Sequence, residues 1–165
     1  MTFFNFITPA VLISSLLLSA CGGDKKSHKK NVMPQAMAAS FTTQADTVLT
    51  GTLMATDADN DMLTYAVVAQ PTQGTVTVNA NGAFTYTPNE DVTGMDQFSF
   101  RAMDSKSNST PALVTITIDL LEVQFSDYSR AVFNRAETDK PLPLNTRSVT
   151  QDVTDEAAYD DLLMP

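Results

Sequence analysis

The central half of the chain predicts an all-β domain, an antiparallel β-sandwich of about seven strands. Three observations carry that expectation. From Phe41 onward apolar and polar residues alternate at period two, the pattern of a strand with one face buried. The alternating runs are rich in valine, isoleucine, threonine and aromatic residues, which suit a pleated, half-buried surface. Turn-forming clusters interrupt the runs at the spacing of about 8 to 12 residues that a sandwich requires.

Taken in order, Leu49, Leu53 and Ala55 share one face of VLTGTLMAT, and Tyr65 and Val67 share one face of LTYAVVA. Val76 and Val78 alternate with threonines, as do Phe84 and Tyr86, and Phe98 and Phe100 follow. Val114, Ile116, Ile118 and Leu120 close the series against Thr115, Thr117 and Asp119. Between these runs lie DADND, QPTQG, NANG, TPNEDVTG and DSKSNSTP, each dense in residues that favour turns. The expected core is Tyr65, Phe84, Tyr86, Phe98, Phe100, Val114 and Ile116. The domain is assigned to residues 41–121.

Residues 3–20 carry no charge, and the apolar stretch AVLISSLLL has the length of a signal-peptide core rather than of a membrane span. The chain's one cysteine, Cys21, follows directly. A single cysteine makes no internal disulfide, and this one stands beside a hydrophobic leader. Leu18, Ser19, Ala20 and Cys21 resemble the lipobox of bacterial lipoproteins. That resemblance implies a cleaved leader over residues 1–20 and diacylglycerol on the Cys21 thiol. Two or three acyl chains, at about 0.8 kcal/mol per buried methylene, would hold the protein firmly to a membrane. Gly22 stands where an aspartate would favour inner-membrane retention, so the expected address is the cell envelope, at the outer membrane.

Charge divides the rest of the chain. Residues 21–40 carry four lysines against Asp24, residues 41–121 nine acids against Arg101 and Lys106, and residues 122–165 nine acids against four bases. The net charge of −9 argues against nucleic acid as a partner. Residues 21–40 read as a flexible basic tether, because they lack any sustained apolar period. His28 lies among these lysines, whose charge opposes both a second proton and a metal ion.

The ordered succession of GTLMATDAD, LTYAVVAQPTQGTVTV, NGAFTYTPN and GMDQFSFRAMD resembles the cadherin-like, Ig-like repeats that bacterial surface proteins carry in tandem. In such repeats the aspartates of the second interstrand loop, here Asp57 and Asp59, share a pole with an aspartate of the last hairpin loop, here Asp104. The resemblance therefore implies a Ca²⁺ site that uses Asp57, Asp59 and Asp104, and the alternate spacing of Asp57, Asp59 and Asp61 adds Asp61 to the candidate ligands. The residue chemistry agrees, since alternate carboxylates in a loop supply the oxygens a hard cation needs. Two departures bear on it: the acidic pair seen in many relatives appears here as Ala45 and Asp46, and Lys106 lies in the same loop as Asp104. Two uses of these aspartates stay open, as calcium ligands or as caps and solvation of turns.

After Leu121, residues Phe125, Tyr128 and Val132 recur at near-helical spacing, PLPLN breaks the pattern, and TDEAAYDDLL offers a second short helix capped by Thr154. Helices this short are marginal alone. The acidic tail, residues 122–165, is expected to be mostly disordered, or else to dock on a partner or back on the sandwich. No phosphate loop, nucleophile elbow or Cys/His metal cluster occurs in the sequence, so no enzyme is expected. The expected function is a lipid-anchored envelope protein presenting one Ig-like module to a protein or surface partner. The alternative is an accessory lipoprotein of an assembly or secretion system that docks through its tail.

Overall fold

The structure is a computed structural model that describes residues 29–155. Among the described residues the strands are β1 (Gln35–Ala36), β2 (Ala39–Gln44), β3 (Leu49–Thr52), β4 (Ala55–Thr56), β5 (Thr64–Ala69), β6 (Gly74–Val78), β7 (Ala83–Pro88), β8 (Gly94–Met103), β9 (Ala112–Asp119), β10 (Leu121–Gln124) and β11 (Arg147–Thr150), with one helix, α1 (Phe125–Phe133). A four-stranded sheet in the order β2-β9-β8-β5 faces a three-stranded sheet in the order β3-β7-β6. Together these are the seven strands of an all-β sandwich, as the alternation predicts.

Alternation places the core between the sheets. Phe98, Phe100 and Ala102 point inward from β8, and Val114, Ile116 and Ile118 from β9. Phe84 and Tyr86 meet them from β7, joined by Leu53 and Val76. Aromatic edges lock the layers: Phe41 and Phe84 lie 5.0 Å apart in a T-shaped pair, and Phe84 lies 5.7 Å from Phe98. Of the expected core residues only Tyr65 is half-buried, with its ring 6.2 Å from Phe100.

A charged residue is buried with them. Asp96 has the inward parity of Phe98 and Phe100 and is 3% exposed. Its carboxylate accepts the Tyr86 hydroxyl at 2.8 Å and the backbone N–H groups of Thr72, Gln73 and Gln97, each at 2.9 Å. Burial opposes its charge, but those donors together hold it below the usual carboxylate range. Burial also raises Tyr86, reinforced by the neighbouring Asp96. Gly74 makes room for the arrangement, because a Cβ there would lie 2.6 Å from the Tyr86 hydroxyl and from the Thr87 carbonyl oxygen.

Four readings change. The sandwich is not purely antiparallel: β2, at the edge of its sheet, runs parallel to β9 instead of joining it through a hairpin. The tether assigned to residues 21–40 gives way to structure from Asn31 onward, because β1 pairs with β4 and Ala36 packs on the core. Leu120 does not continue the inward series; β9 ends at Asp119, the phase slips, and Leu121 packs on the core while Leu120 is exposed. Residues 121–150 are folded rather than disordered: β10 and β11 form a parallel pair, and Arg147 reaches back to Asp46 at 2.8 Å. The leader with Cys21 and the helix expected beyond Thr154 lie outside the described residues.

Candidate cation pole of the sandwich

The antiparallel pair β5 and β8 brings the sequence-predicted aspartates to one end of the molecule. Thr64, at the start of β5, pairs with Met103, at the end of β8. The loop before β5 carries Asp57, Asp59 and Asp61, and the loop after β8 carries Asp104 and Lys106. The register of two strands therefore joins segments more than forty residues apart in sequence.

Asp57 organises the first loop. Its Oδ1 accepts the N–H groups of Asp59 at 2.8 Å and Asp61 at 3.2 Å, a local cap that folds the loop back on itself. Asn60 takes a left-handed conformation, φ 57°, which asparagine tolerates better than most residues. The result is that one carboxylate oxygen from each of Asp57, Asp59 and Asp61 lies within 4.8 Å of the others. Asp57 Oδ2 is buried there and meets no hydrogen-bond donor among the described residues. A buried carboxylate oxygen without a donor is costly, and a cation is one way to satisfy it.

Asp104 stands beside this trio and is held by other partners. Asn31 Nδ2 donates to Asp104 Oδ2 at 3.0 Å and to Ser107 Oγ at 2.9 Å, and the Ser107 hydroxyl donates to the same oxygen at 2.9 Å. The Lys106 and Ser107 N–H groups take Asp104 Oδ1. The Asn31 amide is the largest influence, and with the Lys106 and Ser107 donors it outweighs desolvation and lowers the carboxyl to about 2. The Lys106 ammonium crosses between the loops, 2.8 Å from Asp61 Oδ2 and 3.3 Å from Asn31 Oδ1. Its pKa is raised by the bond to Asp61, and the Asp104 and Asp59 charges add to that.

The segment entering β1 completes the pole. Val32 N–H donates to Asp59 Oδ2 at 2.7 Å, so Asn31 and Val32 cover two of the acidic side chains. Composition alone placed both residues in the tether, and only the pairing of β1 with β4 brings them here. Asp46, which stands in the position of the relatives' acidic pair, lies instead at the opposite end, beyond β2. There burial opposes its charge, but the Asp91 N–H, at 3.0 Å, and then Arg147 hold it below the usual range. Lys140 adds ion pairs to Asp91 at 3.0 Å and Glu90 at 3.5 Å, and the tail and sandwich enclose a cleft of about 490 Å³ between them.

Residues 31–120 match the family model described as the bacterial cadherin-like domain. The chain belongs to that family. The match begins at Asn31, the first residue of the compact unit that contains the sandwich. Similar solved structures include human protocadherin-24 EC1-2, at 13% identity and TM-score 0.44, covering 58% of this chain and 52% of that one. The human desmocollin-1 ectodomain is 15% identical at TM-score 0.38, covering 56% and 23% of the two chains. An endo-fucoidan hydrolase of glycoside hydrolase family 107 is 17% identical at TM-score 0.41, covering 52% and 13%. This chain thus spans about half or less of the length of those structures. No curated protein matches it in sequence. The cadherin-like domain is a non-catalytic module of the kind used for adhesion and interaction, and such domains commonly bind calcium.

Proposed function

We propose that this cadherin-like protein is a non-enzymatic, lipid-anchored protein of the cell envelope, held at the outer membrane through Cys21, that presents one Ig-like module for protein interaction or adhesion and is stabilised by Ca²⁺ at its acidic pole. The observation that carries the calcium reading is Asp57 Oδ2, a buried carboxylate oxygen with no donor among the described residues, in a loop where three carboxylates converge. Asp57, Asp59 and Asp61 would hold the ion, which needs six to eight oxygens and so takes water and backbone carbonyls as well. Asp104 would join only by releasing Asn31. Lys106 competes, because its ammonium already neutralises Asp61. A site of three carboxylates and one competing lysine suits the weak affinities of extracellular modules, about 10⁻⁴ to 10⁻³ M.

Anchoring rests on the sequence around Cys21 and is tested separately. Cys21→Ser should abolish labelling by radioactive palmitate and leave a soluble or uncleaved form. A serine variant that is processed and fractionates like the parent would refute the anchor. The pairing of β10 with β11 and the Arg147–Asp46 ion pair weigh against the tail as a free docking peptide and support a reading in which the module itself presents the interaction surface.

A further inference from the structure

Six methionines lie among the described residues, and five of them, Met33, Met37, Met54, Met62 and Met95, are exposed. Methionine ordinarily fills gaps in cores, and here the thioethers are open to solvent instead. Two of them face each other. The β1 to β4 ladder pairs Gln35 with Thr56 and Ala36 with Ala55, and the Met37 N–H continues it by donating to the Met54 carbonyl at 2.9 Å. Ala36 packs on the core and Leu53 is 2% exposed. Alternation therefore turns both methionines to the outer face, where Met37 is 48% and Met54 65% exposed.

We propose that Met37 and Met54 form a binding site for a soft monovalent cation, Cu(I), for which Ag(I) is a redox-inert equivalent. Directly opposed residues of an antiparallel pair have Cβ atoms about 4.5 to 5.5 Å apart. Three rotatable bonds on each side chain let both sulfurs converge on one ion. Thioethers select soft cations and leave Ca²⁺ and Mg²⁺ to oxygen ligands, so this site and the acidic pole sort their ions by chemistry. The next pair on the outer face, Gln35 and Thr56, is uncharged and does not repel a cation. The net charge of −9 favours its approach. Each sulfur donates a lone pair; no proton is released and no electron is transferred.

The test is a titration of the full chain carrying Cys21→Ser, which removes the one thiolate, with Ag(I), followed through the methionine methyl resonances. Saturation at one ion per chain, with the largest shifts at Met37 and Met54, is expected. Met37→Leu and Met54→Leu should each weaken binding at least tenfold while leaving the melting temperature unchanged, and Met95→Leu should have no effect. Excess Ca²⁺ should not displace Ag(I). The proposal is overturned by the absence of saturable binding, by shifts spread evenly over all exposed methionines or centred on Met33 and Met62, by undiminished binding in Met37→Leu, or by competition from Ca²⁺.

Discussion

Replacing Asp96 by alanine removes the acceptor that ties the Thr72–Gln73 loop to the core. The substitution strands the Tyr86 hydroxyl, which belongs to a residue with no exposed surface. Leaving such a donor unsatisfied costs about 1 to 3 kcal/mol. The charge-assisted bonds from the Thr72 and Gln73 N–H groups are released as well. Those groups lie toward the surface and can recover water, so each adds only about 1 kcal/mol. The expected loss for Asp96→Ala is therefore about 3 to 5 kcal/mol, the stranded hydroxyl and the two released N–H groups together. Tyr86→Phe should lose less, about 1 to 2 kcal/mol, because Asp96 keeps its backbone donors. Urea denaturation read by tyrosine fluorescence measures both, and hydrogen exchange at Thr72 and Gln73 should accelerate only in the Asp96 variant. A loss below about 1 kcal/mol for Asp96→Ala, or slow exchange retained at both amides, would refute the network as the link between loop and core.

Other expectations follow from the same geometry. Phe100→Ala should cost about 3 to 5 kcal/mol through the cavity it leaves beside Tyr65, measured by the same denaturation; a loss under 1 kcal/mol would mean that the core is elsewhere. Asp104 has its folded pKa lowered to about 2, from an unfolded value of about 3.9. Its contribution to stability is therefore present above about pH 4 and is lost as pH falls toward 2. Asn31→Ala, which removes the leading cause of that shift, should flatten the acid limb of a stability profile. An unchanged limb would place the lowered pKa elsewhere.

Much of the sandwich was legible because strand alternation is local. Phe84, Tyr86, Phe98, Phe100, Val114 and Ile116 fall where period two puts them, and the turn clusters separate the strands at the right places. The same rule carried a signal for Asp96, an acid at an inward position two residues before Phe98, although no local pattern names its partners at Thr72 and Gln73. Leu120 was misplaced because a phase slip at a strand end leaves no mark in composition. The parallel pairing of β2 with β9, and of β10 with β11, joins segments far apart in the chain, and pairing of that kind is set by the assembled sheets. At the pole, Asp57, Asp59 and Asp61 were found through their spacing, and Lys106 through its loop. Asn31 and Val32 were not, because a polar segment beside lysines looks like a tether until β1 finds β4.

Thermal melting of the protein with and without millimolar Ca²⁺ shows whether the acidic pole holds a cation in competition with Lys106. Binding to the native state alone raises stability by mass action, about 1.4 kcal/mol when free calcium is tenfold above the dissociation constant. A higher melting temperature is expected in Ca²⁺, with a larger rise in Lys106→Ala, where the competing ammonium is gone, and little rise in Asp59→Asn. No calcium shift in either the parent or Lys106→Ala, with Asp59→Asn neutral or stabilising in calcium-free buffer, would contradict cation binding at the pole and leave these aspartates as turn caps alone.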